Sequence, residues 1–178
     1  MNMQNFSIIL AVDEKNWLWK NNDLAWKLKA DMKYFREITT QTQQENKQNA
    51  VIMWRKTWES IPEKFRPLPW RQNFVLTRDK NYSDNWCVVW NNLDEILEEI
   101  SNNTEIENIF IIWGSQIYNQ VLEDERLENI YLTRLEWDFW CDVFLDPIPV
   151  DFLLKKQSPD FFEDDIHFSF QIYKREEK

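Results

Sequence analysis

A chain of 178 residues with a single glycine, Gly114, and eleven tryptophans is constrained first by what its turns can do. Average usage is about 7% glycine. Glycine is the residue that takes a positive φ, or lets two backbones approach closely, because it has no Cβ to clash. Five tryptophans stand where the neighbouring residues call for a turn: Asn16-Trp17, Trp19-Lys20, Met53-Trp54-Arg55, Pro69-Trp70-Arg71 and Trp113-Gly114. At each of these points the bulkiest side chain occupies a place where a small one is expected.

The remaining composition suits a globular protein. A mass of 22.0 kDa fits one domain, residues 1–178, with one sizeable core. A net charge of −10 and a pI near 4.7 argue against a general nucleic-acid or anionic-membrane surface, so an anionic ligand must be met by a few local arginines. Cys87 and Cys141 give no disulfide framework, and with the single His167 they supply no zinc ligand set. The segment MNMQNFSIILAV lacks the basic and long apolar regions of a signal peptide, and a cytoplasmic setting is expected.

Short apolar runs alternate with helical patterns. Residues 6–12, 50–53, 73–77, 87–89 and 109–113 read as strands, mostly apolar on both faces as a covered parallel sheet requires. Helical spacing is predicted over 28–40, 57–61, 93–100 and 115–122, which implies right-handed βαβ crossovers. After Leu127 the pattern turns strand-rich, and the strict alternation of HFSFQIYK predicts an antiparallel strand. The expected fold is α/β: a mainly parallel twisted sheet of roughly eight strands, helices on both faces, and an antiparallel C-terminal edge hairpin.

Among candidate chemical residues, Asp31 stands out because it falls near the apolar stripe of the first helix, four residues before Phe35. A carboxylate on a water-poor face has a raised pKa and can move protons. The alternative is an exposed first-turn aspartate complementing the helix dipole. Arg55-Lys56, Arg71 and Arg78 cluster around strand ends, where open α/β sheets bind ligands and where arginine fits phosphate or carboxylate bidentately. Gly114-Ser115, opening a helix after a strand, is a candidate diphosphate seat.

Taken in order, Ala11-Val12-Asp13, Asn22-Asp23-Leu24-Ala25-Trp26, Ala30-Asp31-Met32-Lys33-Tyr34-Phe35, residues 51–62 (VIMWRKTWESIP), Arg66-Pro67-Leu68-Pro69-Trp70-Arg71, Ile112-Trp113-Gly114-Ser115-Gln116-Ile117-Tyr118, Ile130-Tyr131-Leu132-Thr133-Arg134 and Cys141-Asp142-Val143-Phe144 resemble dihydrofolate reductase over nearly the whole chain. The resemblance implies NADPH-dependent reduction of 7,8-dihydrofolate to 5,6,7,8-tetrahydrofolate, with hydride to C6 and a proton to N5. It makes Asp31 the acid that binds the pteridine 2-amino group and N3, with Thr133 as its hydroxyl partner and Trp26 as the ring holding a nearby water. Phe35, Ile61, Leu68 and Ile112 match the walls around the substrate rings, Leu24 and Tyr118 join them, and Arg71 matches the clamp on the glutamate carboxylate. Arg55, Thr77 and Arg78 match the pocket for the adenosine 2′-phosphate, with Trp54, Lys56 and Leu76 beside it. Thr57 and Gly114, Ser115, Gln116 and Ile117 match the diphosphate contacts, Trp113 counts with them among the cofactor-binding positions, and Ala11 and Leu18 lie near the nicotinamide. A monomer serving one-carbon metabolism is implied, with a pathway link to thymidylate synthase.

The departures concern glycine. Trp17 and Trp19 fall in the family's mobile loop, Trp54 and Trp70 at turns, and Trp113 in a Gly-Gly pair with a cis peptide; Ala25 replaces a proline. Because UGA is read as glycine in some genetic codes and tryptophan in others, one explanation is a recoded UGA at these sites, with UGG at Trp26 and Trp58. Trp86, Trp90, Trp137 and Trp140 are further candidates for UGA. Two rival functions are a related-fold reductase of another pterin or a flavin-pathway pyrimidine, and a non-catalytic, tryptophan-rich binding module.

Overall fold

A computed structural model of the chain describes residues 4–19, 26–139 and 143–176. Its centre is built from strands buried on both faces: β1 (Phe6–Val12), β3 (Gln48–Trp54), β4 (Arg71–Leu76) and β6 (Ile106–Ile112). Such strands read as near-continuous apolar runs because helices cover both faces. The other strands are β2 (Trp17–Trp19), β5 (Val88–Trp90), β7 (Leu127–Leu135), β8 (Val143–Phe144), β9 (Phe152–Gln157), β10 (Phe161–Glu163) and β11 (Ile166–Arg175). The helices are α1 (Lys29–Thr40), α2 (Arg55–Ser60), α3 (Leu93–Ser101) and α4 (Ser115–Val121).

The main sheet runs β10-β11-β7-β1-β6-β3-β4-β5, with β9 as a ninth strand on β11. From β7 to β5 all pairings are parallel, and β11 pairs antiparallel with β7, β9 and β10. The expected α/β sheet and antiparallel edge are therefore present. Sequence patterning does not resolve β10 or the small separate β2–β8 sheet, because strands of two or three residues are too short to show a period.

Alternation along β3 divides the core. Val51 and Met53 pack with Phe35 of α1 and Trp58 of α2 on one face, while Ala50 and Ile52 pack with Ile96 and Leu97 of α3 and Ile117 of α4 on the other. Among the described residues no helix is long and apolar enough to cross a membrane.

The turns separate the tryptophans into two kinds. Non-glycine residues with positive φ are Asn16 (65°), Trp70 (66°), Trp113 (43°), Asp164 (50°) and Asp165 (62°). Asn and Asp tolerate this region; tryptophan does so at a cost. Trp70 and Trp113 thus occupy glycine-like backbone positions. Trp17, Trp19 and Trp54 do not: the first two lie in β2 after the left-handed Asn16, and Trp54 has φ of −69°. The cis bond implied at Trp113-Gly114 is also absent, Arg66-Pro67 being the cis peptide among the described residues.

Candidate active site

Asp31 lies in the first turn of α1, half-buried. Leu28, at the helix N-cap, offers no side-chain acceptor, and the free backbone N–H groups of Lys29 and Ala30 donate instead to the two carboxylate oxygens of Glu163, at 2.7 and 3.0 Å. This cap comes from β10, and it brings a negative charge close to Asp31. From β7 the buried Thr133 hydroxyl donates to Asp31 Oδ1 at 2.7 Å. Removal from water pushes the Asp31 carboxyl above the ordinary carboxylate range; the Thr133 hydrogen bond pulls it down, and the Glu163 charge pushes it up. A solvated, dipole-complementing aspartate does not describe this residue.

Asp31 opens into a narrow cleft toward the carboxyl ends of β1 and β6, walled by Ala11, Leu18, Phe35, Trp113 and Tyr118. Leu18, placed with the cofactor by resemblance, is thus on the same cleft as Asp31. Ile61, Leu68 and Ile112 are buried in the apolar cluster around Phe35, behind the cleft wall. Trp26 is buried against Phe139, with ring centroids 5.0 Å apart, and among the described residues its indole N–H has no hydrogen-bond partner. The Tyr118 hydroxyl donates to the Ile9 carbonyl at 2.7 Å and accepts from the Trp113 N–H, tying the β6–α4 turn to β1. Leu24 and Ala25 lie outside the described residues, as do Trp140 and Cys141.

Arg71 opens β4, so it stands at the amino end of that strand and not in the carboxyl-end crevice. It is buried; Nη1 donates to Thr39 Oγ1 at 2.7 Å, Nε donates to the Pro69 carbonyl at 3.1 Å, and the guanidinium carbon sits 5.6 Å from the Phe35 ring centre. Neither hydrogen bond is to a carboxylate. Burial, with the neighbouring Arg36 charge, pushes Arg71 down to about 10, which leaves it cationic at neutral pH.

A second, wider cleft of about 420 Å³ lies at the carboxyl ends of β3, β4 and β5, where Trp54, Leu76 and Arg78 face Gln120 and Val121 of α4. Arg78 is exposed, its guanidinium 5.8 Å over the Trp54 ring. Arg55 is occupied by Asp79 at 3.0 Å and Glu59 at 3.6 Å, while Lys56 is exposed and Thr77 is buried. None of these three lines the second cleft. The other arginine there, Arg126, is held by Asp124 and Asp94 at 2.6 and 2.7 Å.

The Trp113-Gly114 turn stands between the clefts. Thr57 Oγ1 donates to the Trp113 carbonyl at 2.5 Å. A Cβ on Gly114 would meet Trp54 at 3.4 Å, Ile117 at 3.5 Å and Thr57 at 3.8 Å, which are ordinary packing distances, so side chains of β3, α2 and α4 surround this turn. Ser115 and Gln116 open α4, and the description does not extend to their side chains.

Two structuring carboxylates escaped sequence reasoning. Glu163 acts across 133 or 134 positions and leaves no local signal. Asp13, fully buried, accepts from the Lys15 and Trp17 N–H groups at 2.8 and 2.9 Å and sets the turn that delivers Leu18; its Asp-to-Asn16 turn chemistry was readable.

The family model described as dihydrofolate reductase matches residues 5–175. The chain is 36% identical over 183 aligned positions to a dihydrofolate reductase of Aedes albopictus, covering 97% of this chain and 98% of that protein. It is 36% identical over 160 positions to a dihydrofolate reductase of Drosophila melanogaster, covering 89% and 87%. A bifunctional dihydrofolate reductase-thymidylate synthase of Glycine max is 35% identical over 179 positions, covering 96% of this chain and 33% of that longer protein. With an acid-bearing apolar cleft beside a second, arginine-edged one on this sheet, the chain belongs to the dihydrofolate reductase family of oxidoreductase enzymes.

Proposed function

We propose that this chain reduces 7,8-dihydrofolate to 5,6,7,8-tetrahydrofolate, in the cytoplasm and as a monomer, in support of one-carbon metabolism. The observation that carries the reading is Asp31: a carboxyl in an apolar cleft, oriented by Thr133 and with its proton affinity raised by desolvation. An acid so placed can bind the 2-amino and N3 edge of the pteridine and assist protonation at N5. Phe35, with Ile61, Leu68 and Ile112 behind it, excludes water and packs the rings. Arg71, a buried cation bonded among the described residues to neutral oxygens, is the group we assign to the glutamate carboxylate, and it favours a folate over a tail-less pterin or pyrimidine.

The donor set beside Gly114 fits a dinucleotide, since the exposed Arg78 edges the adjoining cleft and can meet a phosphate. NADPH, when bound, supplies the hydride. Thr57, Gly114 and α4 would hold the diphosphate, while Arg78, with Arg55 and Thr77 nearby, would hold the 2′-phosphate. The bifunctional plant relatives motivate a link to thymidylate synthase, whose reaction consumes a reduced folate.

The test is loss of NADPH absorbance by purified protein given dihydrofolate or a dihydropterin lacking the aminobenzoyl-glutamate tail. Turnover that needs dihydrofolate and falls sharply without the tail is expected. Equal turnover of both substrates favours the pterin or pyrimidine reductase, and a folded protein that binds neither ligand favours the binding module.

A further inference from the structure

Trp113 combines two features that do not otherwise meet among the described residues. Its backbone has φ of 43°, held from both sides because its N–H donates to the Tyr118 hydroxyl and its carbonyl accepts from Thr57. Its indole stacks on Phe35, with centroids 4.5 Å apart and planes 26° from parallel, inside the cleft that holds Asp31. One face of Phe35 within the cleft is therefore covered by a flat ring. Trp70 shares only the first feature: φ is 66°, and the side chain is 74% exposed.

We propose that Trp113 is an access-determining residue: its indole partly closes the Asp31 cleft to a flat heteroaromatic ligand, from a left-handed backbone position that favours glycine. The choice of dihydrofolate as probe rests on the function proposed above. The backbone is tested without any ligand, and the closure by the titration of Asp31 together with dihydrofolate affinity.

The backbone claim is read from glycine and alanine variants at 113 and 70. Alanine ordinarily exceeds glycine in stability because glycine loses more chain entropy on folding; a left-handed position reverses that order. Trp113→Gly is expected to melt higher than Trp113→Ala, and Trp70→Gly higher than Trp70→Ala. Alanine melting higher than glycine at 113 overturns the glycine-position claim.

Closure is read from the titration of Asp31 by carboxyl carbon NMR. Both 113 variants should lower its midpoint toward the ordinary range, because the indole contributes to its desolvation. The other groups facing Asp31 are Thr133, Glu163, Tyr34 and Tyr118, and all are left unchanged by these substitutions. Dihydrofolate affinity should rise on the order of tenfold in both variants, equivalent to about 1.4 kcal/mol. An Asp31 midpoint and a dihydrofolate affinity that both match the parent overturn the closure. A lowered midpoint without dihydrofolate binding leaves the closure standing and overturns the folate reading instead.

Discussion

The two clefts differ in how their charged groups are held. In the Asp31 cleft the acid is half-buried, oriented by a buried hydroxyl and surrounded by apolar side chains, so its proton affinity is set by the protein. In the Arg78 cleft the edging cation is exposed and Arg126 is engaged by carboxylates of this acidic chain, as is Arg55 outside the cleft lining. A buried group acts through its pKa and position; an exposed cation acts through availability to an incoming anion. In the second cleft, therefore, the count of arginines matters less than which one is unengaged.

The sharpest break of this comparison is Asp31→Asn. Turnover at neutral pH should fall by roughly 10²–10⁴-fold, the usual worth of a positioned proton-transfer group, with NADPH affinity nearly unchanged. Near-parent turnover in a folded variant would remove Asp31 from the chemistry. Next in size, replacing Arg55 and Arg78 together with alanine should weaken NADPH by roughly 10- to 100-fold, from charge-assisted hydrogen bonds of about 1.5–3 kcal/mol, and leave NADH little affected. Arg78→Ala alone should account for most of the loss, because Arg55 must first release Asp79 and Glu59. Equal losses for the two cofactors would place these arginines outside 2′-phosphate recognition.

A smaller effect concerns stability. Asp31 has a folded pKa above its unfolded value of about 3.9, so its favourable contribution is fully present below that value and is lost as pH rises through the folded pKa. Asp31→Asn should therefore melt higher than the parent at pH 7, with the difference closing below about pH 4. Thermal midpoints at the two pH values measure it; a variant less stable at pH 7 would mean that the Thr133 bond outweighs desolvation. The smallest effect is expected from Glu163→Ala, which uncaps α1 and removes a negative neighbour of Asp31. The melting temperature should drop slightly, and the basic limb of the pH–rate profile should move to lower pH. An unmoved limb would make Glu163 a helix cap only.

Much of this architecture was legible because it is repetitive. The apolar runs of β1, β3 and β6 report burial on both faces, and the alternation in β11 reports an edge with one wetter face. Asp31 was legible because helical spacing puts it beside Phe35. The β2–β8 pair was not, because so short a pairing is chosen by contacts such as Trp17 on Phe144, 5.5 Å apart and edge-on. Nor were the individual tryptophans: five stand in turn-like words, but only Trp70 and Trp113 have left-handed backbones, and Asn16 takes that role ahead of Trp17.

By itself the sequence determined the alternation of strands and helices, the acid on an apolar helix face, and an acidic surface with few available cations. Those properties follow from residue type and spacing, which are local. Only the tertiary structure decided that Thr133 and Glu163 converge on the start of α1, that Arg78 is less engaged than Arg55, and that Trp113 covers Phe35. Each of these is a meeting of distant chain segments, fixed when the sheet brings their ends together.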